Sequence, residues 1–214
     1  MNLLKANNLS HSFDTELFSN ISLDLNAKET LSIIGLSGSG KSTLLNILST
    51  LLVPNKGDVF LFGKNVNTMD SKELESIKRD QLGLVFQQHY LFRGFSVEEN
   101  LEISAMLSSQ DIDMQLLERL GVAQTIKQKV TELSGGQQQR ISIARVLTKK
   151  PKILFVDEPT GNLDNITADE VKDIFFEYVK NEEAAMVLVT HNEEFAMECD
   201  IVYRLQNKEL IRVK

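Results

Sequence analysis

The sequence predicts an α/β fold with a β-rich edge and an inserted helical lobe. The first observation is a glycine-rich loop at residues 35–43, which lies between an apolar run and a helical pattern. The second is a set of short apolar runs at 82–86, 153–156 and 186–190, which are typical of buried parallel strands. The third is the stretch from 88 to about 148, which carries helical patterns and no convincing strand.

The composition is that of a globular protein, with 214 residues, 42% of them hydrophobic and 25% charged. The net charge of -7 argues against a nucleic acid or an anionic membrane held by bulk charge. The single cysteine, Cys199, excludes an internal disulfide and suits a reducing cytosol. The N-terminus is too polar for a signal peptide, and no apolar run approaches the ~20 residues that span a bilayer. Any membrane span is therefore expected to come from another chain.

The first part of the chain predicts a β-rich layer followed by one strand–loop–helix unit. Ile21, Leu23 and Leu25 alternate with polar residues, as in a half-buried strand. A buried strand at 30–34 then leads through the loop into a helix at 42–48. The remaining elements predicted before residue 88 are turns at 54–57 and 63–65, a strand at 58–62, a charged helix at 71–80 and a buried strand at 82–86.

The second part predicts helices and then more of the sheet. Helical patterns lie at 97–107, 114–120 and 137–147. The runs at 153–156 and 186–190 predict central parallel strands. Two further strands, at 201–205 and 209–213, are expected at a sheet edge.

The glycine-rich loop has the pattern G-x-x-x-x-G-K-[ST] of a phosphate-binding loop. In a strand–loop–helix setting, backbone N–H groups and the positive end of a helix dipole face one point. Lysine would reach the phosphates and the serine hydroxyl would coordinate Mg²⁺. A chance Gly/Ser turn is the simpler alternative for the loop alone. The candidate binding residues are Gly35, Leu36, Ser37, Gly38, Ser39, Gly40, Lys41, Ser42 and Thr43.

Two carboxylates follow the apolar run at 153–156. At the C-terminal end of a central strand they would lie beside the phosphate loop. Asp157 would hold Mg²⁺, and Glu158 could polarise a water for attack on a γ-phosphate. The alternative is a solvated acidic strand end.

A third motif, Leu133-Ser134-Gly135-Gly136-Gln137, opens a helix. Its free N–H groups and small hydroxyl could face an anion. The alternative is an ordinary serine-capped helix. His191 follows another apolar run, and by itself it could be part of a helix start.

Together these motifs resemble the ATP-binding cassette (ABC) transporter ATPases, over essentially the whole chain. Seven motifs stand in the order of that family. They are the adenine-facing aromatic Phe13, Walker A at Gly35–Thr43, the Q-loop Gln87, the signature Leu133–Gln137, Walker B at Ile153–Glu158, the D-loop Gly161–Asp164 and the switch His191.

The resemblance implies a P-loop NTPase (RecA-like) core with an antiparallel β-subdomain and an inserted α-helical subdomain. One ABC ATPase domain would span 1–214, with the core at about 1–87 and 149–214 and the helical subdomain at about 88–148. ATP and Mg²⁺ would be bound and ATP hydrolysed.

The resemblance also implies roles for the site residues. Glu158 would be the general base, His191 would contact the γ-phosphate, and Ser42, Gln87 and Asp157 would surround Mg²⁺ and the attacking water. ATP would lie between two chains in a head-to-tail homodimer. The partner's contribution to each site would come from Ser134, Gly135, Gly136 and Gln137, and Asp164 would link the two sites.

The remaining expectations concern partners. Residues 88–107 would contact a membrane permease, with at least Phe92 and Phe95 lining an exposed groove, so the chain would lie on the inner face of a bacterial cytoplasmic membrane; no nucleic acid is expected. The segment at 89–100 most resembles ATPases of the lipoprotein-release type. Alternatives are a macrolide-exporter or peptide-resistance ATPase, a cell-division ATPase with a regulatory role, and a soluble ABC protein acting on DNA or ribosomes.

Overall fold

The computed structural model describes residues 1–214 and contains two β-sheets flanked by helices. The strands are β1 (Asn2–Ser12), β2 (Glu16–Asn26), β3 (Thr30–Ile34), β4 (Lys56–Leu61), β5 (Lys64–Asn65), β6 (Leu82–Val85), β7 (Ile153–Asp157), β8 (Ala185–Val189), β9 (Ile201–Gln206) and β10 (Glu209–Arg212). The α-helices are α1 (Lys41–Leu48), α2 (Ser71–Asp80), α3 (Val97–Ser108), α4 (Met114–Arg119), α5 (Gly135–Thr148), α6 (Asn165–Asn181) and α7 (Glu193–Glu198).

The first sheet is antiparallel, with the strand order β2-β1-β4-β5. In β2 the burial alternates as predicted, since Ile21, Leu23 and Leu25 are buried and the residues between them are exposed. Both turn predictions extend too far, because Lys56 and Gly57 belong to β4, and Lys64 and Asn65 form β5. Gly57 has a φ of 89° and lies where the register between β4 and β1 shifts, between the pairs Asp58–Asn7 and Lys56–Ser10.

The second sheet has the order β10-β9-β3-β8-β7-β6 and is parallel from β9 to β6. The predicted strands at 30–34, 82–86, 153–156 and 186–190 are confirmed, with ends that differ by one residue or less. The edge prediction is wrong for β9, which pairs with β3 inside the sheet, and right for β10. Because β3 and β7 are both parallel to β8, their last residues lie at the same end of this sheet.

Both faces of the central parallel strands are buried, and for this reason β7 and β8 are almost entirely apolar. In β7, Ile153 and Phe155 pack into the cluster shared with the antiparallel sheet and α1. Leu154 and Val156 pack into the opposite cluster, which includes α3, α5 and α6. The alternation follows from the two-residue period of a strand.

Helices α3 to α5 lie between β6 and β7 in the chain, as predicted. Helix α6 is not predicted by the motifs, although its buried positions Val171, Ile174, Phe175 and Val179 follow a helical period. No helix in the protein combines the length and the apolar character that crossing a membrane requires.

Candidate active site

The phosphate-binding loop joins β3 to α1 and leaves the first amides of that helix free. Gly40, the residue before α1, has a φ of 100°, and α1 has neither a side-chain cap nor an acidic residue in its first turn. Gly38 has a φ of 77°, and a Cβ there would meet nothing within 4 Å. The loop thus offers open space beside unpaired N–H groups, which is the environment that an anion prefers.

Lys41, the first residue of α1, is only 8% exposed. Its Nζ donates to the carbonyl oxygens of Gly35 and Leu36, at 2.9 Å each. Both acceptors are neutral, so a phosphate in the loop would supply the counter-charge that a buried ammonium needs.

Asp157 ends β7 and faces the same loop. The pKa of Asp157 is raised, mainly because its carboxyl is partly buried. The hydrogen bond with the Ser42 hydroxyl lowers this pKa, the negative charge of Glu158 raises it, and the positive charge of Lys41 lowers it. A partly desolvated carboxylate beside a hydroxyl suits a hard divalent cation. No cluster of three or more His, Cys, Asp or Glu side chains could hold a metal by itself. Mg²⁺ is commonly held by one or two carboxylates together with substrate phosphates.

Glu158 is held at the end of β8 in an unusual backbone conformation. Its φ is 47°, in the left-handed region, and its N–H donates to the carbonyl of Val189 at 2.9 Å. Oε2 accepts a hydrogen bond from the Thr190 hydroxyl at 3.0 Å. Oε1 lies 2.9 Å from Nδ1 of His191, whose side chain is 74% exposed against 15% for Glu158. Such strained positions occur mainly where the surrounding structure holds a functional group in place.

The loop, the end of β7 and the segment after β6 meet in one cavity of about 370 Å³. Phe13 also lines it; this residue is 65% exposed, and its ring lies nearly perpendicular to the His11 ring, with centroids 4.9 Å apart. The predicted site residues that line the cavity are Phe13, Ser37, Gly38, Gly40, Lys41, Ser42, Thr43, Gln87, Asp157 and Glu158. Gly35 and Leu36 are connected to it through Lys41, and His191 through Glu158. Ser39 has a buried hydroxyl without a hydrogen-bond partner.

The residues Ser134–Gln137 and Asp164 do not line this cavity. Ser134 caps α5 by accepting the N–H of Gln137 at 3.3 Å, and the Gln137 side chain accepts the N–H of Ser134 at 2.9 Å. Asp164 caps α6 by accepting the N–H of Thr167 at 3.1 Å, and this bond lowers the pKa of its carboxyl. The two helix starts are neighbours, since a Cβ on Gly136 would lie 3.2 Å from Leu163.

Two contacts near the site involve residues to which the motifs assign no role, although Thr190 precedes His191 in the switch motif. One is the hydrogen bond from Thr190 to Glu158, and the other is made by Arg145 on α5. The Arg145 guanidinium donates to the carbonyls of Tyr90 at 2.9 Å and His89 at 3.4 Å, and burial lowers its pKa. Nothing in the local sequence marks these partners, because they are 32, 55 and 56 residues apart in the chain.

The chain is similar to several known proteins. The ABC transporter family profile matches residues 18–161. The chain is 39% identical to "Lipoprotein-releasing system ATP-binding protein LolD" of Bdellovibrio bacteriovorus, over 91% of each chain. It is 37% identical to the LolD protein of Paramagnetospirillum magneticum, over 98% of each. A solved structure described as "Dimeric structure of a post-hydrolysis state of the ATP-binding cassette MJ0796 bound to ADP and Pi" superposes with a TM-score of 0.89, at 30% identity over 97% of this chain and 96% of that one.

Proposed function

Because this chain belongs to the ABC transporter family, we propose that it powers a membrane complex of the lipoprotein-releasing type. The chain is an ATPase that uses ATP and Mg²⁺, acts as a dimer and works with a membrane permease. The two relatives described above are named for lipoprotein release, and neither is named as a macrolide exporter or a cell-division protein. One observation carries the ATPase chemistry: the phosphate loop, Asp157 and Glu158 line the same cavity.

Each group in this cavity has a chemical task. Lys41 and the loop amides bind the β- and γ-phosphates, and Glu158 orients water and accepts its proton. His191 leaves Glu158 to contact the γ-phosphate, which its exposed position allows. Mg²⁺, held by Ser42, Asp157 and Gln87, would neutralise charge on the phosphates when bound.

The start of α5 completes the site of a partner chain. Ser134 to Gln137 present a helix N-terminus on the surface, and a γ-phosphate there would be favoured by the free amides and the dipole. Loss of that phosphate on hydrolysis removes the contact between the chains and lets the dimer open. Asp164, at the neighbouring start of α6, would connect the two sites across the interface.

Phe13 provides a stacking surface for adenine. Replacing Phe13 with Ala is expected to raise the Kd for ATP by about tenfold, because base–aromatic stacking contributes roughly 1–3 kcal/mol. Phe13→Tyr keeps the ring and should bind ATP as the wild type does. Titration with a fluorescent ATP analogue measures the Kd of both variants. An unchanged Kd for Phe13→Ala would show that Phe13 does not stack on adenine.

The permease contact is proposed on the helical part of the chain. In this view residues 1–87 and 149–214 form the ATP-binding core, and residues 88–148 form a helical subdomain. Phe92 and Phe95 are 50% and 43% exposed, and their ring centroids lie 5.7 Å apart. Exposed aromatic side chains next to each other are a common feature of protein docking surfaces. A coupling segment of the permease would pack on these two rings.

This surface connects to the ATP site through Gln87. Gln87 lines both the 370 Å³ cavity and a neighbouring cleft of about 930 Å³, which also includes Tyr90 and Gln138. Helix α5 donates hydrogen bonds to the chain just before and just after Gln87. Gln139 donates to the carbonyl of Phe86 at 3.4 Å, and Arg145 donates to the carbonyl of Tyr90 at 2.9 Å. We infer that a change at the γ-phosphate reaches the permease surface through Gln87, and that the bonds to α5 couple this segment to the helix that carries Ser134.

A pull-down tests the proposed complex. Tagged Glu158→Gln protein is mixed with ATP and native membranes, and the proteins recovered with it are identified by mass spectrometry. We expect a permease and lipoproteins, because the chain is held in its ATP-bound form on the inner face of the cytoplasmic membrane. Recovery of division proteins instead would favour a regulatory function, and recovery of no membrane protein after chemical crosslinking would contradict the permease contact.

The same experiment tests the docking surface. Adding Phe92→Ser and Phe95→Ser should reduce permease recovery by about tenfold or more, since buried aromatic anchors dominate interface affinity. The matched control carries Leu51→Ser and Val53→Ser, two other exposed apolar residues, and should recover the permease fully. Equal recovery by both pairs of substitutions would place the contact elsewhere.

A further inference from the structure

Thr190 is a buried residue at the end of β8, next to the active site. Its side chain has no exposure to solvent, and its N–H donates to the carbonyl of Ile33, the residue paired with Val189 in β3, at 3.4 Å. Its hydroxyl lies 3.0 Å from Oε2 of Glu158. The same hydroxyl oxygen accepts the N–H of Asn192 at 3.1 Å.

These bonds determine the direction of the Thr190 hydroxyl proton. A carboxylate only accepts hydrogen bonds and a backbone N–H only donates. Since Asn192 donates to the Thr190 oxygen, the hydroxyl hydrogen is left for Oε2 of Glu158. Hydrogen bonds to a carboxylate are stronger than those between neutral groups, and a buried one is not exchanged for water.

The two oxygens of Glu158 are held in different ways. Oε1 meets His191, whose side chain is 74% exposed and which the proposed mechanism sends to the γ-phosphate. Oε2 meets Thr190, which is immobilised between β8 and β3. Because β3 leads directly into the phosphate loop, Thr190 ties the carboxylate to the strand that also positions the phosphates.

We propose that Thr190 is a positioning residue for ATP hydrolysis, which holds the Glu158 carboxylate toward the attacking water after His191 has moved to the γ-phosphate. Thr190 has this role only if Glu158 is the base proposed above. The start of α7 accounts only for the hydroxyl oxygen of Thr190, which accepts the N–H of Asn192 at 3.1 Å. It does not account for the hydroxyl hydrogen, since Asn192 caps the helix with its own side chain, which accepts the N–H of Phe195 at 3.0 Å.

Replacing Thr190 with Val tests this role, because Val has the same shape and lacks the hydroxyl. We expect kcat for ATP hydrolysis to fall about 10- to 100-fold, since a misplaced catalytic group costs up to ~10²-fold. The Kd for a fluorescent ATP analogue should stay within about twofold of wild type, because no phosphate or base contact is lost. Thr190→Ser keeps the hydroxyl and should restore kcat. Thr148→Val removes another buried hydroxyl, which bonds only the Ala144 carbonyl, and should leave kcat unchanged.

A purely structural role would give a different result. Thr190→Val would then weaken ATP binding and thermal stability together, and that outcome would overturn the inference. If Thr190→Val does not fold, Thr190→Ala and Thr190→Ser form the comparison, since they differ by one oxygen atom, and equal kcat values would also overturn it.

Glu158→Gln separates a failure of the inference from a failure of the proposed function. If Glu158→Gln abolishes turnover and Thr190→Val keeps the wild-type kcat, only the role of Thr190 is wrong. If the Glu158→Gln variant keeps the wild-type turnover, Glu158 is not the general base, and the proposed role of Thr190 is then wrong as well. The double variant should be no slower than Glu158→Gln alone, because the two residues act as a unit.

Discussion

Replacing Glu158 with Gln is expected to lower kcat for ATP hydrolysis by about 10³-fold, because an amide cannot take the proton from the attacking water. The change keeps the size of the side chain, and the amide oxygen can still accept the Thr190 hydroxyl. Lys41 and the loop amides are unaffected, so ATP should bind with a near-normal Kd. ATP that binds and is not hydrolysed should hold the two chains together as a stable dimer.

Three measurements check this result: steady-state turnover, the Kd for a fluorescent ATP analogue, and the mass of the complex with ATP. Glu183→Gln is a suitable control, since Glu183 is exposed and pairs only with Lys28 on the surface. Exposed ion pairs contribute little to stability, and this pair lies outside the ATP site, so turnover should not change. Turnover of Glu158→Gln within tenfold of the wild type would show that another group acts as the base.

The sequence predicts the strands of the parallel sheet well, because each strand can be recognised from its own residues. In β7 every residue before the last is apolar, since both faces of the strand are covered, and the run can be seen without knowing its neighbours. Helix α2 has the predicted bounds because Asp70 caps its start and its charged residues keep it on the surface. By contrast, the interior position of β9 depends on its pairing with β3, and no local pattern shows which strands are neighbours.

Helix α6 shows the limit of a motif-based interpretation. The residues before it, Gly161–Asp164, match a family motif and so draw attention to chemistry rather than to the start of a helix. Yet Asp164 is an N-cap, and the apolar residues at 171, 174, 175 and 179 follow the helical period. The signal was present in the sequence, and the structure shows that this motif begins a helix at Asp164 and lies beside the signature segment through Asn162 and Leu163.

Within the candidate site, residue types can be predicted and their mutual contacts cannot. The motifs name Glu158 and His191, but the left-handed backbone of Glu158 and the 2.9 Å contact between the two side chains depend on how β7 lies beside β8. Thr190 stands next to His191 in the switch motif, but the motif gives it no role, and a threonine at the end of an apolar strand is ordinary. Its importance becomes visible only through its partner 32 residues earlier.

The proposal that each site is shared between two chains leads to a mixing prediction. Lys41→Met removes the ammonium from the phosphate loop, and Ser134→Asp adds a negative charge where the partner's γ-phosphate would lie. Aspartate caps a helix as well as serine does, so α5 should stay folded. Each variant alone should lose at least about 10²-fold in turnover, because phosphate charge is left uncompensated or is repelled.

Mixing the two inactive variants should restore activity. In a head-to-tail heterodimer, one site contains both substitutions and the other contains neither, so one intact site remains. Random pairing would then give about a quarter of the wild-type number of sites. We expect turnover of the mixture to rise about 25-fold or more above that of either variant, in proportion to the heterodimers formed.

Two controls make this result specific. Ser134→Asn caps α5 without adding charge, and it should keep turnover near the wild-type value, which separates repulsion from loss of the helix start. Mixing Lys41→Met with the double variant Lys41→Met, Ser134→Asp gives no intact site in any pairing and should stay inactive. If the first mixture remains as slow as its components while both chains are shown to exchange, Ser134 acts on its own chain or outside the ATP site. Restored turnover would instead require that the helix start of α5 reaches the phosphate loop of a second chain, because the structure keeps it out of the cavity of its own.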